Sequence, residues 1–150
     1  MARYHAAVQS QRPAQDTFDY LAVFSNAAQW DPGVLAASQL DPGPIAAGTR
    51  FRLVVPFLGR RLPLTYVVTG YGPGRWVTLA ATNGVLRATD RIEVTDGALV
   101  RYDAEVVLRG PLRVLDVLLR PGFRAVADRA ARGLAETLAV SPADPPEVRQ

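Results

Sequence analysis

The feature that most constrains the fold is a series of five runs of alternating apolar and polar residues between positions 48 and 108. Short segments containing glycine separate the runs, which read GTRFRLVVPF, RLPLTYVVTG, RWVTLAAT, VLRATDRIEV and LVRYDAEVVL. A period of two is typical of strands that bury one face, and tight connections favour antiparallel neighbours. The sequence therefore predicts an antiparallel meander with one apolar face.

The first connection predicts which side chains lie on that face. Gly59-Arg60 is read as a type II′ turn, because glycine suits the first central position of such a turn. The resulting register places Phe51, Leu53 and Tyr66 on the same apolar side of the two flanking strands. We therefore expect these three side chains to point into the interior.

The next two connections position the single carboxyl group of the apolar face. Asn83-Gly84 predicts a type I′ turn. A three-residue loop with Gly97 in the left-handed region then keeps Arg101 on the outer side. In this register Asp90 faces Tyr102 across neighbouring strands. The outward alternation of the predicted first strand, residues 2–9, leaves His5 on the solvent side.

A helical insert rich in aromatic residues follows the first strand. Its sequence, TFDYLAVFSNAAQWDPGV, covers residues 17–34 and includes Phe18, Phe24 and Trp30. Asp31 precedes a proline, which disfavours continuation of the helix. A short helix that is apolar on two sides is expected to be buried on two sides. We expect the insert to close one end of a curved sheet.

After Gly110 the apolar spacing becomes helical and continues to about residue 139. Pro121-Gly122 is expected to break this segment into two helices, of which the second is long enough to cross the sheet. Small residues such as Ala127 and Ala130 would keep the helix from filling the space above the sheet. We therefore expect one domain over residues 1–140, with a polar, proline-rich and disordered tail at 141–150.

Composition narrows the classes of function. The chain of 150 residues has no cysteine, which is compatible with the cytoplasm, and no run typical of a signal peptide or a membrane span. All 17 basic residues are arginine, and the net charge is +3. The arginines are dispersed among 14 acidic residues, which favours a solvated surface over nucleic-acid binding. With a single histidine and no cysteine, neither a zinc site nor another cofactor is expected.

The predicted order of elements, β-α-α-β6-α with about seven strands, resembles the helix-grip fold of the START-like (SRPBCC) superfamily. This group includes birch-pollen-allergen-like and polyketide cyclase/dehydrase-like proteins. The resemblance rests on TFDYLAVFSNAAQWDPGV, GTRFRLVV, YVVTGYGPGRWVTL and GPLRVLDVLLRPGFRAVADRAARGLAETL, and covers about residues 3 to 139. It implies an α+β fold with an apolar cavity that binds small molecules, and in some members a polyketide-cyclising or dehydrating activity.

The candidate site combines an apolar wall with a few polar groups. An inward Asp90 would be desolvated, so that it needs a hydrogen-bond partner or a raised pKa, and Tyr102 is its expected neighbour. These two residues are the candidate catalytic pair. The full set of predicted ligand-binding residues is Trp30, Phe51, Leu53, Tyr66, Asp90, Tyr102, Leu119, Phe123 and Val126.

Three functions remain open at this point. The first is a non-catalytic binder of a hydrophobic or amphipathic small molecule, of lipid, polyketide or aromatic type. The second is a polyketide-type cyclase or dehydratase that uses Asp90, Tyr66 and Tyr102. The third is a partner-binding module with a vestigial cavity. The sequence allows either a monomer or a homodimer.

Overall fold

The computed structural model describes residues 2–139, with the backbone alone for residues 116–120. The predicted tail at 141–150 lies outside the described residues. The strands are β1 Ala2–Gln9, β2 Ala36–Gln39, β3 Arg50–Phe57, β4 Arg60–Gly72, β5 Trp76–Thr82, β6 Leu86–Val94 and β7 Leu99–Leu108. The helices are α1 Ala14–Ala22, α2 Ala27–Trp30 and α3 Asp116–Ala139, with 3-10 turns at Phe24–Asn26 and Gly110–Leu115.

The seven strands form one antiparallel sheet in the order β1-β7-β6-β5-β4-β3-β2. Each strand from β2 to β7 pairs with its neighbour in sequence, while β1 returns to pair with β7. The inner face is apolar along the central strands except at Asp90 on β6, and the helices cover it. The predicted α+β fold, a curved antiparallel sheet with a long C-terminal helix, is confirmed.

The connection between β3 and β4 differs from the predicted turn. Leu58 and Gly59 occupy its centre with φ of 50° and 76°, which is the pattern of a type I′ turn. Leu53 consequently pairs with Leu64, and Phe51 with Tyr66. The register has moved by two residues from the prediction, and a shift of two leaves every side chain on its predicted face.

The next two hairpins differ from the prediction in another way, because their loops are longer than predicted. Neither Asn83 nor Gly84 has a positive φ, and the Asn83 side chain instead accepts hydrogen bonds from the backbone N–H groups of Val85 and Leu86. In the loop after β6, Ala98 rather than Gly97 adopts the left-handed region, with φ of 60°.

These longer loops change the partners of Asp90. It pairs with Leu79 on β5 and with Ala104 on β7, whereas Tyr102 pairs with Ile92. Asp90 and Tyr102 are therefore diagonal neighbours and not directly opposite. A diagonal neighbour is still within reach of a long aromatic side chain.

Helix α3 is continuous from Asp116 to Ala139, so the predicted break at Pro121-Gly122 is wrong. Pro121 lies in the second turn, where its missing N–H removes one hydrogen bond of the helix. The backbone on either side is helical, and the helix passes through this position.

The C-terminal end of α3 fixes the helix to the rest of the fold. The helix packs on β1 and α2. At Gly133 an added Cβ would lie 2.0 Å from the carbonyl oxygen of Trp30, so only glycine allows the two helices to approach this closely. One turn further on, Leu138 is fully buried, and its carbonyl accepts a hydrogen bond from the Gln11 N–H at 2.9 Å.

Candidate functional site

A cavity of about 290 Å³ lies between the inner face of the sheet, the helical insert and α3. Its walls are mainly apolar, and the sheet contributes alanine at several inward positions. Ala88 on β6 and Ala104 on β7 are two of these, while Ala127 and Ala130 face them from α3. Alanine cannot reach across the gap between the sheet and the helix, which is why the cavity remains.

The helical insert forms one end of the cavity. Phe24, Ala27 and Trp30 line this end, while Phe18 is fully buried behind them against Tyr71, with ring centroids 5.8 Å apart. The insert therefore separates the cavity from a densely packed aromatic region.

Two edge-to-face ring contacts join the insert to the sheet. The Trp30 ring meets Tyr102 at 5.8 Å between centroids and 80° between planes. The Phe24 ring meets Tyr66 at 5.0 Å and 64°. Because such contacts are directional, they fix both tyrosine rings in the cavity wall.

The polar end of the cavity is built around Asp90. The Tyr102 hydroxyl donates a hydrogen bond to Asp90 Oδ1 at 2.9 Å, and the Tyr66 hydroxyl donates to the same carboxylate. Asp90 is 5% exposed, although its carboxylate faces the cavity. Among the described residues, no buried polar side-chain atom lacks a hydrogen-bond partner. The group is therefore ordered by its neighbours without any ion pair.

Burial sets the protonation of this cluster. The pKa of Asp90 is raised to about 6, mainly by desolvation and to a smaller extent by the nearby charge of Asp31, while the hydrogen bonds from Tyr102 and Tyr66 oppose the shift. Desolvation and the Asp90 charge also raise the pKa values of Tyr66 and Tyr102 well above the usual range. Near neutral pH the cluster therefore holds two protonated phenols and a carboxylate close to its titration point.

Asp31 is a cavity residue that sequence reasoning missed. It follows α2, lines the cavity, and accepts a hydrogen bond from the Gly33 N–H at 2.8 Å. Desolvation raises its pKa, although the Gly33 hydrogen bond opposes the shift. The sequence analysis treated Asp31 only as the residue that ends α2. Its position directly after the predicted cavity residue Trp30 is the signal that could have identified it.

The cavity opens along the first part of α3. Phe123 is half-buried and Val126 is 43% exposed, yet both line the cavity. Val126 also lies close to the loop after α2, since a Cβ added at Gly33 would be 3.2 Å from its Cγ1. These residues form the mouth.

The structure brings together most of the predicted ligand-binding residues. Those that line the cavity are Trp30, Leu53, Tyr66, Asp90, Tyr102, Phe123 and Val126. Phe51 is absent from the wall, contrary to the prediction, because it is fully buried against Phe24, with ring centroids 6.4 Å apart. The side chain of Leu119 lies outside the described residues. His5 is exposed on the outer face and pairs with Asp103.

The comparison with family models decides the classification. The model described as "Polyketide cyclase / dehydrase and lipid transport" matches residues 1–139. The chain belongs to this family. The resemblance to START-like proteins that the sequence suggested is thereby confirmed, whereas no curated protein sequence matches the chain significantly.

Solved structures with low sequence identity to this chain share its fold. A START superfamily protein from Mycobacterium smegmatis has a TM-score of 0.70 at 14% identity, over 91% of this chain and 95% of that one. The Zhui aromatase/cyclase from Streptomyces sp. R1128 has a TM-score of 0.68 at 16% identity, over 91% and 90%. At these identities the likeness concerns the fold alone. Within residues 2–139, no helix is long and apolar enough to cross a membrane.

Proposed function

We propose that this protein binds a hydrophobic or amphipathic small molecule, of lipid, polyketide or aromatic type, in the cavity between the sheet and α3. The observation that carries the proposal is an apolar cavity of about 290 Å³ with one polar end. At about 290 Å³ the cavity is close to the lower end of the size range of small-molecule pockets, which is about 300–1,000 Å³. A mostly apolar pocket with a few convergent polar groups is typical of small-molecule sites.

The mouth supports exchange of a ligand with the surroundings. Phe123 and Val126 lie on a part of α3 that is less buried than the C-terminal part of the helix. Side chains with this much exposure change rotamer without disturbing the packed end of α3 at Leu138. A ligand would enter between α3 and the loop around Gly33.

A polyketide-type cyclase or dehydratase is the second candidate function. The hydrogen-bonded group of Asp90, Tyr66 and Tyr102 favours it, because a carboxyl group with a pKa of about 6 suits proton transfer near neutral pH. One structural neighbour is named as an aromatase/cyclase. In this reading Asp90 exchanges a proton with the substrate, and the hydrogen bonds from the two phenols hold its carboxyl group in place.

Both candidate functions predict that the cavity takes up an apolar probe. Titration with the neutral fluorophore N-phenyl-1-naphthylamine should give saturable binding at one site per chain. Ala104→Phe places a phenyl ring in the cavity and should abolish this binding. Ala80→Phe, on the outer face of β5, is the matched control and should leave it unchanged. Binding that survives Ala104→Phe, or no binding to the native protein, would contradict the proposal and favour a partner-binding module with a vestigial cavity.

Native mass spectrometry of protein purified without denaturation adds a second test. A co-purified mass that is lost in Ala104→Phe would supply the candidate ligand and report whether the chain is a monomer or a homodimer. With that ligand, Asp90→Asn separates the two functions. Unchanged turnover would exclude acid–base chemistry at Asp90, whereas ligand binding without any turnover by the native protein supports a non-catalytic binder.

A further inference from the structure

The hydrogen-bond donors of the cavity tyrosines are already used within the protein. Three tyrosines line the cavity: Tyr4, Tyr66 and Tyr102. Tyr4 donates to Asp128 Oδ1 at 3.1 Å, and the other two donate to Asp90. A phenol has one proton to donate, so these groups offer a ligand only their oxygen lone pairs.

The charged groups that line the cavity are of one sign. Asp31 and Asp90 both line it, and they are close enough for the charge of Asp31 to raise the pKa of Asp90. Neither arginine nor histidine belongs to the lining residues that the structure describes. The chain as a whole is nevertheless positive, with a net charge of +3. The interior of the cavity therefore has the opposite sign to the molecule that surrounds it.

This arrangement has unequal consequences for different ligand end groups. An ammonium group donates hydrogen bonds and compensates the charge of buried carboxylates, whose desolvation is otherwise offset only by hydrogen bonds from neutral groups. A carboxylate end group would find no proton donor among the tyrosines and would be repelled by Asp31 and Asp90. A hydroxyl group can donate one hydrogen bond and carries no charge, so it lies between the two.

We propose that the cavity selects apolar molecules with a positively charged, hydrogen-bond-donating amine at one end and rejects the corresponding carboxylates. The inference rests on the proposed small-molecule function and specifies its ligand class. The amine would lie beside Asp31 and Asp90, and the apolar part would extend along Leu53 and Ala104 towards the mouth.

Three probes of equal chain length test this selectivity at pH 7.5: decylamine, 1-decanol and decanoate. Each probe is titrated into the intact protein with bound N-phenyl-1-naphthylamine, at concentrations below micelle formation. The loss of fluorophore binding gives the affinity of the probe. Decylamine should bind about tenfold or more tightly than decanoate, with decanol between them. Because the net charge of the protein favours the anion, non-specific attraction would produce the opposite order.

Substitution of the two carboxylates tests where the selectivity originates. Asp31→Asn and Asp90→Asn each keep an oxygen that accepts the existing hydrogen bonds, so the fold should be retained. The double variant should bring decylamine and decanoate to within about threefold of each other, while still binding decanol. Asp96→Asn, in the exposed loop after β6, is the charge-matched control and should keep the full preference.

The outcomes separate the two proposals. Decanol binding together with equal or tighter binding of decanoate would overturn the amine selectivity and leave the cavity function standing. An amine preference that persists in the double variant would overturn it as well, because its source would lie elsewhere. Failure of decanol and the fluorophore to bind at all would overturn both proposals.

Discussion

The two parts of α3 differ in how completely they are buried. In the packed part, residues 135–139, Leu138 is fully buried and the Thr137 and Leu138 carbonyls accept hydrogen bonds from Arg12 and Gln11. In the cavity part, residues 121–127, Val126 is 43% exposed. The same helix is thus attached firmly at one end and held away from the sheet at the other. Stability and ligand binding should therefore respond to different substitutions.

The largest difference is expected from shortening one apolar side chain in each part. Leu138→Ala should lower the free energy of unfolding by about 3–5 kcal/mol, because it leaves a void in a fully packed region. Val126→Ala should lower it by less than about 1 kcal/mol, since much of that side chain is already in water. Urea unfolding of both variants measures the contrast. Equal losses would show that α3 is packed uniformly.

A second contrast uses two glycines of the same helix. Gly133→Ala should cost about 2–3 kcal/mol, because the added methyl group meets the Trp30 carbonyl oxygen and forces α3 away from α2. Gly122→Ala, where nothing lies within 4 Å of the added carbon, should gain about 0.5–1 kcal/mol from helix propensity. Thermal unfolding gives both values. A gain at both positions would contradict the close helix contact.

The buried carboxyl group of Asp90, at the polar end of the cavity, should make the free energy of unfolding depend on pH. Because the pKa of Asp90 is raised from 3.8 to about 6, the folded state binds more protons than the unfolded state between these values. The contribution of Asp90 to the free energy of unfolding is therefore largest at low pH and is lost as the pH rises towards 6. Tyr66, Tyr102 and Asp31 face Asp90, and the two phenols remain protonated throughout this window.

Asp90→Asn removes this dependence. Relative to the native protein, the variant should gain on the order of 2 kcal/mol of stability between about pH 4 and pH 7. The upper limit from the full shift is about 3 kcal/mol. Asp96→Asn serves as the control and should show no such slope. If denaturant titrations show the same difference in the free energy of unfolding between Asp90→Asn and the native protein at every pH in this range, Asp90 is in contact with water.

Much of the fold could be predicted because strand faces depend only on a period of two. The turn between β3 and β4 is centred on Leu58-Gly59 and not on Gly59-Arg60, yet the error of two residues kept Leu53 and Tyr66 facing inward. The exact loops could not be predicted, because side-chain hydrogen bonds such as those of Asn83 compete with the intrinsic turn preference. The break predicted at Pro121 did not occur, because a proline near the start of a helix removes only one hydrogen bond and the helix continues past it.

The candidate site was only partly predictable. Asp90 stood out because it interrupts an apolar face, and its contact with Tyr102 survived the shift in register. Asp31 does not interrupt an apolar face, and apart from its position next to Trp30 its place in the cavity depends on how the helical insert folds back against α3. The inward side of Phe51 was predicted, but its distance from the cavity depends on its contact with Phe24.

Amide chemical shifts during titration with 1-decanol test the central claim most directly. We expect saturable changes at Ala104 on β7 and at Phe123 and Val126 in the cavity part of α3. Leu138 in the packed part and Ala80 on the outer face of β5 should be unaffected. No saturable change, or changes confined to the outer face of the sheet, would contradict the account of a cavity held open between the sheet and one part of α3.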